Sequence, residues 1–378
     1  MSILLRSLMI AGALSAPLAA LAEKPPAGAH SHMPTMGEVM EASGVTVGGY
    51  IDGSYDFLAG DGVFTSGVVD RVFETRPNGF YLHQAALTLA KQPAEGVGGL
   101  VNITTGEDAD TIAANGSDGG AMYAGNDNLD VTQAFVQYAT GSLTVMAGKF
   151  VTMSGAEVIN STANANASRS ILFGYAIPFG HTGVRVQYKA SDMLTFVGGV
   201  NNGWDQQTDL NEQKTGELCL LLTGKAFAFG TVAYIGKEPV VSGPSEDRYL
   251  IDAVGSVNAT DMLTLVLNLD YGQQKNFDGL DNTATWSGAA GYMNLKLSDT
   301  FATSLRAEYF DDKDGFRTGV VQKWKEVTLT TSFTVDKNLS VLPEVRYDFS
   351  DQNSFAFDNG TDAKKSQFGG TLKAVYKF

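Results

Sequence analysis

The sequence reads as an all-β chain, an antiparallel transmembrane β-barrel of about 16 strands with short periplasmic turns and long extracellular loops. Three observations carry that reading. Segments of about ten residues alternate apolar and polar side chains. The connections between them alternate short and long, and the last alternating segment ends on Phe378.

The N-terminus sets the compartment. Arg6 is followed from Ser7 to Leu21 by an uncharged run, and Ala20-Leu21-Ala22 has the small-x-small pattern of a signal-peptidase site. A spanning helix needs about 20 apolar residues, and this run is shorter and carries Pro17. Residues 1–22 are therefore expected to be a signal peptide cleaved near Ala22. Residues 23–43 are too short for a domain and read as a periplasmic extension with a helical turn around Met36–Ala42. Residues 44–378 are expected to form the barrel.

Composition agrees. The hydrophobic fraction of 44% is spread as single residues alternating with polar ones, and no later stretch is apolar for as long as a spanning helix requires. Glycine is abundant, at 43 residues, and proline scarce, at 10. Cys219 is the single cysteine, which excludes an intrachain disulfide. It lies in an apolar run and reads as a small buried or lipid-facing side chain. A net charge of −15 argues against nucleic acid as a partner.

From Gly44 onward each element repeats one theme. Leu263, Leu265, Leu267 and Leu269 share one face, opposite Thr264, Asn268 and Asp270. Phe301, Leu305, Ala307 and Tyr309 oppose Ser304, Arg306 and Glu308. Val327, Leu329, Thr331, Phe333 and Val335 oppose Glu326, Thr328, Thr330 and Ser332. Alternate side chains of a strand face opposite ways, so each strand has an oily and a wet side. The connections decide which is inside. Tight turns at Gln92–Glu95, Gly141, Ser191-Asp192, Gly224-Lys225, Asn258–Asp261, Ser298-Asp299 and Asp336-Lys337 alternate with loops at 57–77, 107–128, 151–180, 311–323 and 349–365. A soluble sandwich has no reason for that asymmetry, whereas an outer-membrane barrel does.

Tyr376, Ala374, Leu372 and Phe368 share the face of Phe378. An apolar last strand ending on Phe is what such barrels present to their assembly machinery, so Phe378 and Tyr376 are the expected assembly signal. Pro343 falls within a strand on the outer face and predicts a bulge, a rim position or a shifted boundary, because it removes a ladder hydrogen bond.

Several segments resemble a known family. Asn78-Gly-Phe-Tyr-Leu-His-Gln-Ala-Ala-Leu-Thr-Leu89, Ala147-Gly-Lys-Phe-Val151, Gly155-Ala-Glu-Val-Ile159 and Ser168-Arg-Ser-Ile-Leu-Phe-Gly-Tyr-Ala-Ile-Pro-Phe179, with His181-Thr-Gly-Val-Arg185, resemble the OmpL-like β-barrel porins. Asn201-Asn-Gly-Trp-Asp205, Arg306-Ala-Glu-Tyr-Phe310, Asp314-Gly-Phe-Arg-Thr-Gly319 and Glu344-Val-Arg-Tyr-Asp348 extend the likeness over roughly Gly44 to Phe378. The resemblance implies an outer-membrane pore and supplies no solute.

Alternation places Asp252, Asp270, Glu308, Glu326 and Glu344 on the polar face, with Arg185, Lys296, Arg306, Arg346 and Lys373. Arg or Lys facing lipid at mid-membrane costs ~2–4 kcal/mol, so these charges are expected to line a watery interior, as an orienting field or as space-filling ion pairs. The loop 151–180 begins small and polar and continues as Ile171-Leu-Phe-Gly-Tyr-Ala-Ile-Pro-Phe179, too apolar to stand in water. It is expected to pack on the inner wall or rim and, folded inward, to bring Glu157 and Arg169 to a constriction. The acidic loop with Glu107, Asp108, Asp110, Asp118 and Asp127 is expected at the mouth, and Asp311-Asp-Lys-Asp-Gly315 reads as an ordinary turn.

No cofactor or metal is expected, since no glycine-rich phosphate loop, CxxC pair or HExxH is present. No catalytic residue is assigned, because only His83 and His181 lie in the barrel region, neither beside a nucleophile signature. The expected function is passive diffusion of small hydrophilic solutes in the outer membrane of a Gram-negative bacterium. Outer-membrane lipids and the barrel-assembly machinery are the partners, and a homo-oligomer is compatible with the sequence. Two alternatives remain open: a substrate-specific channel for a metal chelate or carboxylate, and a structural or adhesion barrel displaying its loops.

Overall fold

The computed structural model describes residues 35–59, 71–75, 78–114, 128–240, 243–357 and 362–378. The expected signal segment, most of the N-terminal extension, and Asp118 and Asp127 lie outside the described residues. The chain enters through a short helix, α1 (Met36–Ser43). Thr35 caps it: its hydroxyl accepts from the Glu38 N–H at 3.3 Å, and the Glu38 carboxylate accepts from the Thr35 N–H at 2.7 Å. Gly44 ends the helix at φ 68°, a left-handed conformation that suits glycine.

The strands follow in order: β1 (Thr46–Ala59), β2 (Gly79–Lys91), β3 (Gly96–Thr105), β4 (Leu129–Thr140), β5 (Leu143–Val151), β6 (Gly180–Lys189), β7 (Leu194–Asn201) and β8 (Thr215–Thr223). Then come β9 (Phe227–Glu238), β10 (Glu246–Asn258), β11 (Leu263–Gln274), β12 (Ala284–Lys296), β13 (Phe301–Asp312), β14 (Gln322–Thr334) and β15 (Leu339–Ser350). A hairpin of β16 (Phe355–Phe357) and β17 (Asp362–Lys364) interrupts the last loop before β18 (Ser366–Lys377). One further helix, α2 (Glu107–Ile112), sits between β3 and β4.

Sequential antiparallel pairing from β1 to β15, with β18 between β15 and β1, closes the sheet. The closure runs from Tyr50↔Lys377 to Ala59↔Phe368. Closure is what lipid demands, because an edge strand would leave backbone groups unpaired where there is no water. The sixteen strands of the barrel and the tight turns between them fall where the sequence pattern puts them.

The faces are inverted relative to a soluble sandwich. On β11, Leu267 and Leu269 are 49% and 45% exposed, whereas Asn268 and Asp270 between them are 2% and 4% exposed. Apolar side chains thus form the outer belt and polar ones point inward. Pro343 makes no bulge. It holds its place opposite Leu372 on β18, and β14–β15 keeps one register on either side of it. The ladder to β14 skips from Thr330↔Glu344 to Phe333↔Val341, a local loss that follows from the missing N–H. The bulges lie elsewhere, at Asp52/Gly53 and Asn102/Ile103.

Phe378 fastens the seam. Its N–H and C=O exchange hydrogen bonds with Gly49 at 3.0 Å each, and its ring leans over Gly49 and beside Tyr376 (6.3 Å between centroids). Deleting Phe378, or Phe378→Asp, is expected to lower the amount of folded barrel without lowering synthesis. Heat-modifiable gel mobility of outer-membrane fractions measures this, and wild-type levels of folded barrel would count against an assembly role for this terminus.

Candidate functional site inside the barrel

The long connection between β5 and β6 enters the barrel and runs down its lumen to the periplasmic end. Near the extracellular end, Thr152 meets the Tyr234 hydroxyl at 3.1 Å. Lower down, the Ala156 N–H donates to Asn268 (3.0 Å), and the Ile159 carbonyl accepts from the Gln84 amide (3.0 Å). At the bottom, the Thr162 carbonyl accepts from Lys377 Nζ (3.3 Å), at the periplasmic end of β18. The reversal there is built from asparagines: Asn160 accepts from the Thr162 N–H, and Asn164 exchanges two hydrogen bonds with the Val158 backbone.

The segment then climbs back along β13–β15. Asn166 bonds Thr330 (2.7 Å), and the Ala167 and Ser168 N–H groups donate to Glu344 (2.7 and 3.1 Å). The Ile171 and Leu172 N–H groups donate to Glu308 (2.9 and 3.1 Å), opening a π-turn over Leu172–Ala176. The Ala176 carbonyl accepts from the Trp286 indole (3.0 Å). The Phe179 and Gly180 N–H groups end the climb on Asp205 (2.6 and 3.0 Å).

Its apolar half is buried as the sequence requires. Ile171, Leu172, Phe173, Ala176, Ile177 and Phe179 join Leu250, Val266, Trp286, Phe310 and Trp324 of the wall in one cluster. Among the described residues the larger apolar cluster therefore lies in the lumen, where this segment meets one side of the barrel and is joined by Phe73, Ile112, Trp204 and Phe355 from other connections.

Most charges assigned to the lumen are there, but they are paired. Arg306 lies 2.7 Å from both Glu157 and Glu326, 3.3 Å from Glu308, and donates to the Ser168 carbonyl (2.9 Å). Arg346 holds Asp348 (2.7 Å) and donates to the Arg169 carbonyl (2.6 Å). Arg185 grips Glu217 with two bonds and stacks over Phe150, and Lys373 pairs Asp52 at 3.0 Å. Asp252 and Asp270 face each other across β10–β11, with Asn268 donating to Asp252 (2.6 Å). Burying a charge is costly without an opposite partner, which the arginines and Lys373 have; Asp252 and Asp270 are two like charges held only by the Asn268 amide.

Lys296 is the exception to the lumen assignment. It lies at the last residue of β12, 61% exposed, and pairs Asp299 of the adjoining turn (2.7 Å). Alternation gave its face correctly but not its height, so it belongs to the periplasmic rim.

Several site residues carry no sequence signal. His83 Nε2 stands 2.9 Å from Asp56 and 2.8 Å from Ser54 Oγ, and its Nδ1 stands 3.3 Å from Asp108. Asp108, expected at the mouth, is thereby drawn inward on α2 together with Gln84 (2.8 Å). With a carboxylate at each ring nitrogen, His83 is suited to bridging rather than to abstracting a proton from Ser54. In the loops, burial pushes Glu74 up to about 7 and Asp205 to about 6. Burial, with Arg248 nearby, pulls Arg317 down to about 10. Arg248 and Arg317 both lie over Trp204, at 5.0 and 4.9 Å from the ring centroid. Only their distance in sequence hid them.

Removing a wall carboxylate should loosen this segment. Glu344→Ala leaves the Ala167 and Ser168 N–H groups without acceptors, at ~1–3 kcal/mol for a buried unsatisfied group. Amide exchange at residues 166–170 is expected to speed up by about tenfold or more, with the barrel strands unchanged. Unchanged exchange there would mean that Glu344 does not hold the segment.

Residues 44–378 match the family described as "Putative beta-barrel porin-2, OmpL-like". No curated protein matches in sequence. Among solved structures, the anion-selective porin from Comamonas acidovorans is similar at a TM-score of 0.61 and 11% identity, covering 88% of this chain and 99% of that one. OprB of Pseudomonas putida is similar at 0.59 and 12%, covering 90% and 96%. The in-vitro folded trimer form of OmpT from Vibrio cholerae is similar at 0.55 and 13%, covering 88% and 99%. Match and fold agree: the chain belongs to the OmpL-like β-barrel porin family and is an outer-membrane channel for small solutes.

Proposed function

We propose that the protein is a passive diffusion porin whose passage is limited by the 151–180 segment, with Glu157 and Arg169 near the narrowest part. The observation that carries this reading is the depth of the segment, which reaches Lys377 at the periplasmic end before climbing back. Small hydrophilic solutes then pass beside a fixed loop rather than through a wide bore. The alternative of a channel specific for a carboxylate or metal chelate draws support from the same filling, since a narrow path discriminates more. Neither reading asks for catalysis, a cofactor or a metal.

Export through a signal peptide cleaved near Ala22, recognition of Tyr376 and Phe378 by the barrel-assembly machinery, and assembly as a homo-oligomer complete the proposal. The trimeric form of OmpT supports the last of these. N-terminal sequencing of the protein purified from outer membranes is expected to begin near Glu23. A start at Met1 would sink the export reading.

Planar-bilayer recording tests the channel. Wild-type conductance is expected to be small, and deletion of Asn160–Ala167 is expected to raise it. Arg169→Glu should shift the reversal potential in a salt gradient toward cations. Lys275→Glu, an exposed extracellular position paired with Asp247, should shift it little, because a rim charge lies beyond a Debye length of ~8 Å from most passing ions. Equal, negligible shifts for both variants would take the segment out of the pathway. Absence of conductance even in the deletion variant would favour the structural or adhesion barrel.

A further inference from the structure

An open groove of about 500 Å³ crosses the lipid-facing wall of β2–β5 near their periplasmic turns. The strand register shows how it is made. Lys91 stands opposite Gly99, Gly99 opposite Val136, and Val136 opposite Ala147. One step up the wall, Leu89 stands opposite Val101, and Val101 opposite Ala134. Paired residues share a face, and this face is the outer one, since Leu89, Val101 and Val136 are 49%, 41% and 63% exposed. Gly99 and Ala134 therefore form a low diagonal between the taller Val101 and Val136, and its lower end opens beside Lys91.

Lys91 is the last residue of β2, as Lys189, Lys296 and Lys377 are of β6, β12 and β18. The other three are engaged. Lys189 pairs Asp192 (2.9 Å), Lys296 pairs Asp299 (2.7 Å), and Lys377 donates to the Thr162 carbonyl (3.3 Å). Among the described residues, none bonds the Lys91 ammonium. Its stem passes the Gly44 turn, where the Met40 and Glu41 carbonyls of α1 are taken by Val45, Ser43 and Gly44. Two carboxylates share this rim without pairing it: Glu41 on α1, and Glu95 on the adjoining turn, which accepts from the Gly141 N–H (2.7 Å).

We propose that this groove binds one phospholipid of the periplasmic leaflet, its phosphate on the Lys91 ammonium and an acyl chain lying along Gly99 and Ala134. The lining is apolar apart from Lys91, and the volume falls within the ~300–1,000 Å³ of ordinary ligand clefts. A chain seated between Val101 and Val136 gains dispersion contacts that a flat wall does not offer. Lys91 stands at a strand end, the level of the head groups, where a lysine costs little and a phosphate is within reach. Glu41 and Glu95 on the same rim suit a head group that carries an amine beside its phosphate. A lysine that only reaches for water needs no groove above it, and a groove that only packs needs no cation at its end. The site takes this lipid whatever solute the channel carries.

Palmitoyl-oleoyl phosphatidylethanolamine is the probe, titrated into the intact barrel in mild detergent and read by native mass spectrometry. One tightly bound lipid per protomer is expected. Lys91→Ala should weaken it about tenfold, the factor that goes with one lost charged hydrogen bond, and Lys91→Arg should keep it. Ala134→Leu fills the groove, leaves Lys91 in place and should abolish the tight site. Ala134 is the better position, because a Cβ on Gly99 would stand 2.9 Å from the Phe135 carbonyl oxygen. Lys189→Ala, which removes a lysine already paired, should bind lipid as the wild type does. Heat-modifiable gel mobility reports that each variant is folded. Equal lipid retention in wild type, Lys91→Ala and Ala134→Leu overturns the proposal. So does a lipid-free oligomer that dissociates in Ala134→Leu, which would give the groove to a second copy of the chain.

Discussion

A polypeptide segment inside a barrel faces the same rule as one inside a membrane: its backbone N–H and C=O groups must find partners. The strands meet it through a closed ladder. The 151–180 segment has no ladder and meets it through side chains of the wall. Glu344 and Glu308 each take two successive N–H groups, and Asp205 takes another two at the exit. Arg306, Arg346, Gln84 and Trp286 supply donors to its carbonyls. The mixed charge of the wall is therefore matched to a mixed set of backbone groups.

This pairing explains why the wall carries both signs. A segment that offers only N–H groups could be held by carboxylates alone, with a large net charge left in the lumen. A segment that also presents carbonyls needs cations, and the cations can then neutralise the carboxylates next to them. Arg306 does both at once, touching Glu157 and Glu326 while it holds the Ser168 carbonyl. The spacing suits the task, because Ser304, Arg306, Glu308 and Phe310 follow one another up the inner face of β13, and residues 166–175 meet them in that order.

The barrel was legible in the sequence because two periodicities coincide there. Alternation fixes the face of every strand residue, and turn length fixes the rim. Neither gives height or partners. Lys296 has the lumen parity but stands at the rim. The depth of the inward segment was equally hidden, since an apolar stripe says that a loop must pack and not where. The His83–Asp56–Asp108 bridge joins β1, β2 and α2, and the Arg248–Trp204–Arg317 group joins a strand and two loops. Such sets assemble only after closure, so no local spacing announces them. Pro343 shows the converse. A residue that looked incompatible with its strand is accommodated by losing contacts on one side, because β18 still holds the other.

Pairing also limits which charges can act on a passing solute. An arginine whose guanidinium is bonded to a carboxylate and a carbonyl presents little net field beyond its partners, so Arg185, Arg306 and Arg346 act first as fasteners. Arg169 differs, for it is carried by the inward segment itself, finds one carbonyl and keeps two donors unmatched. A barrel whose wall charges were all free would select by its total charge. On the proposed function, selection passes to the few groups left over when the loop has taken its partners, so the same loop decides which charges remain.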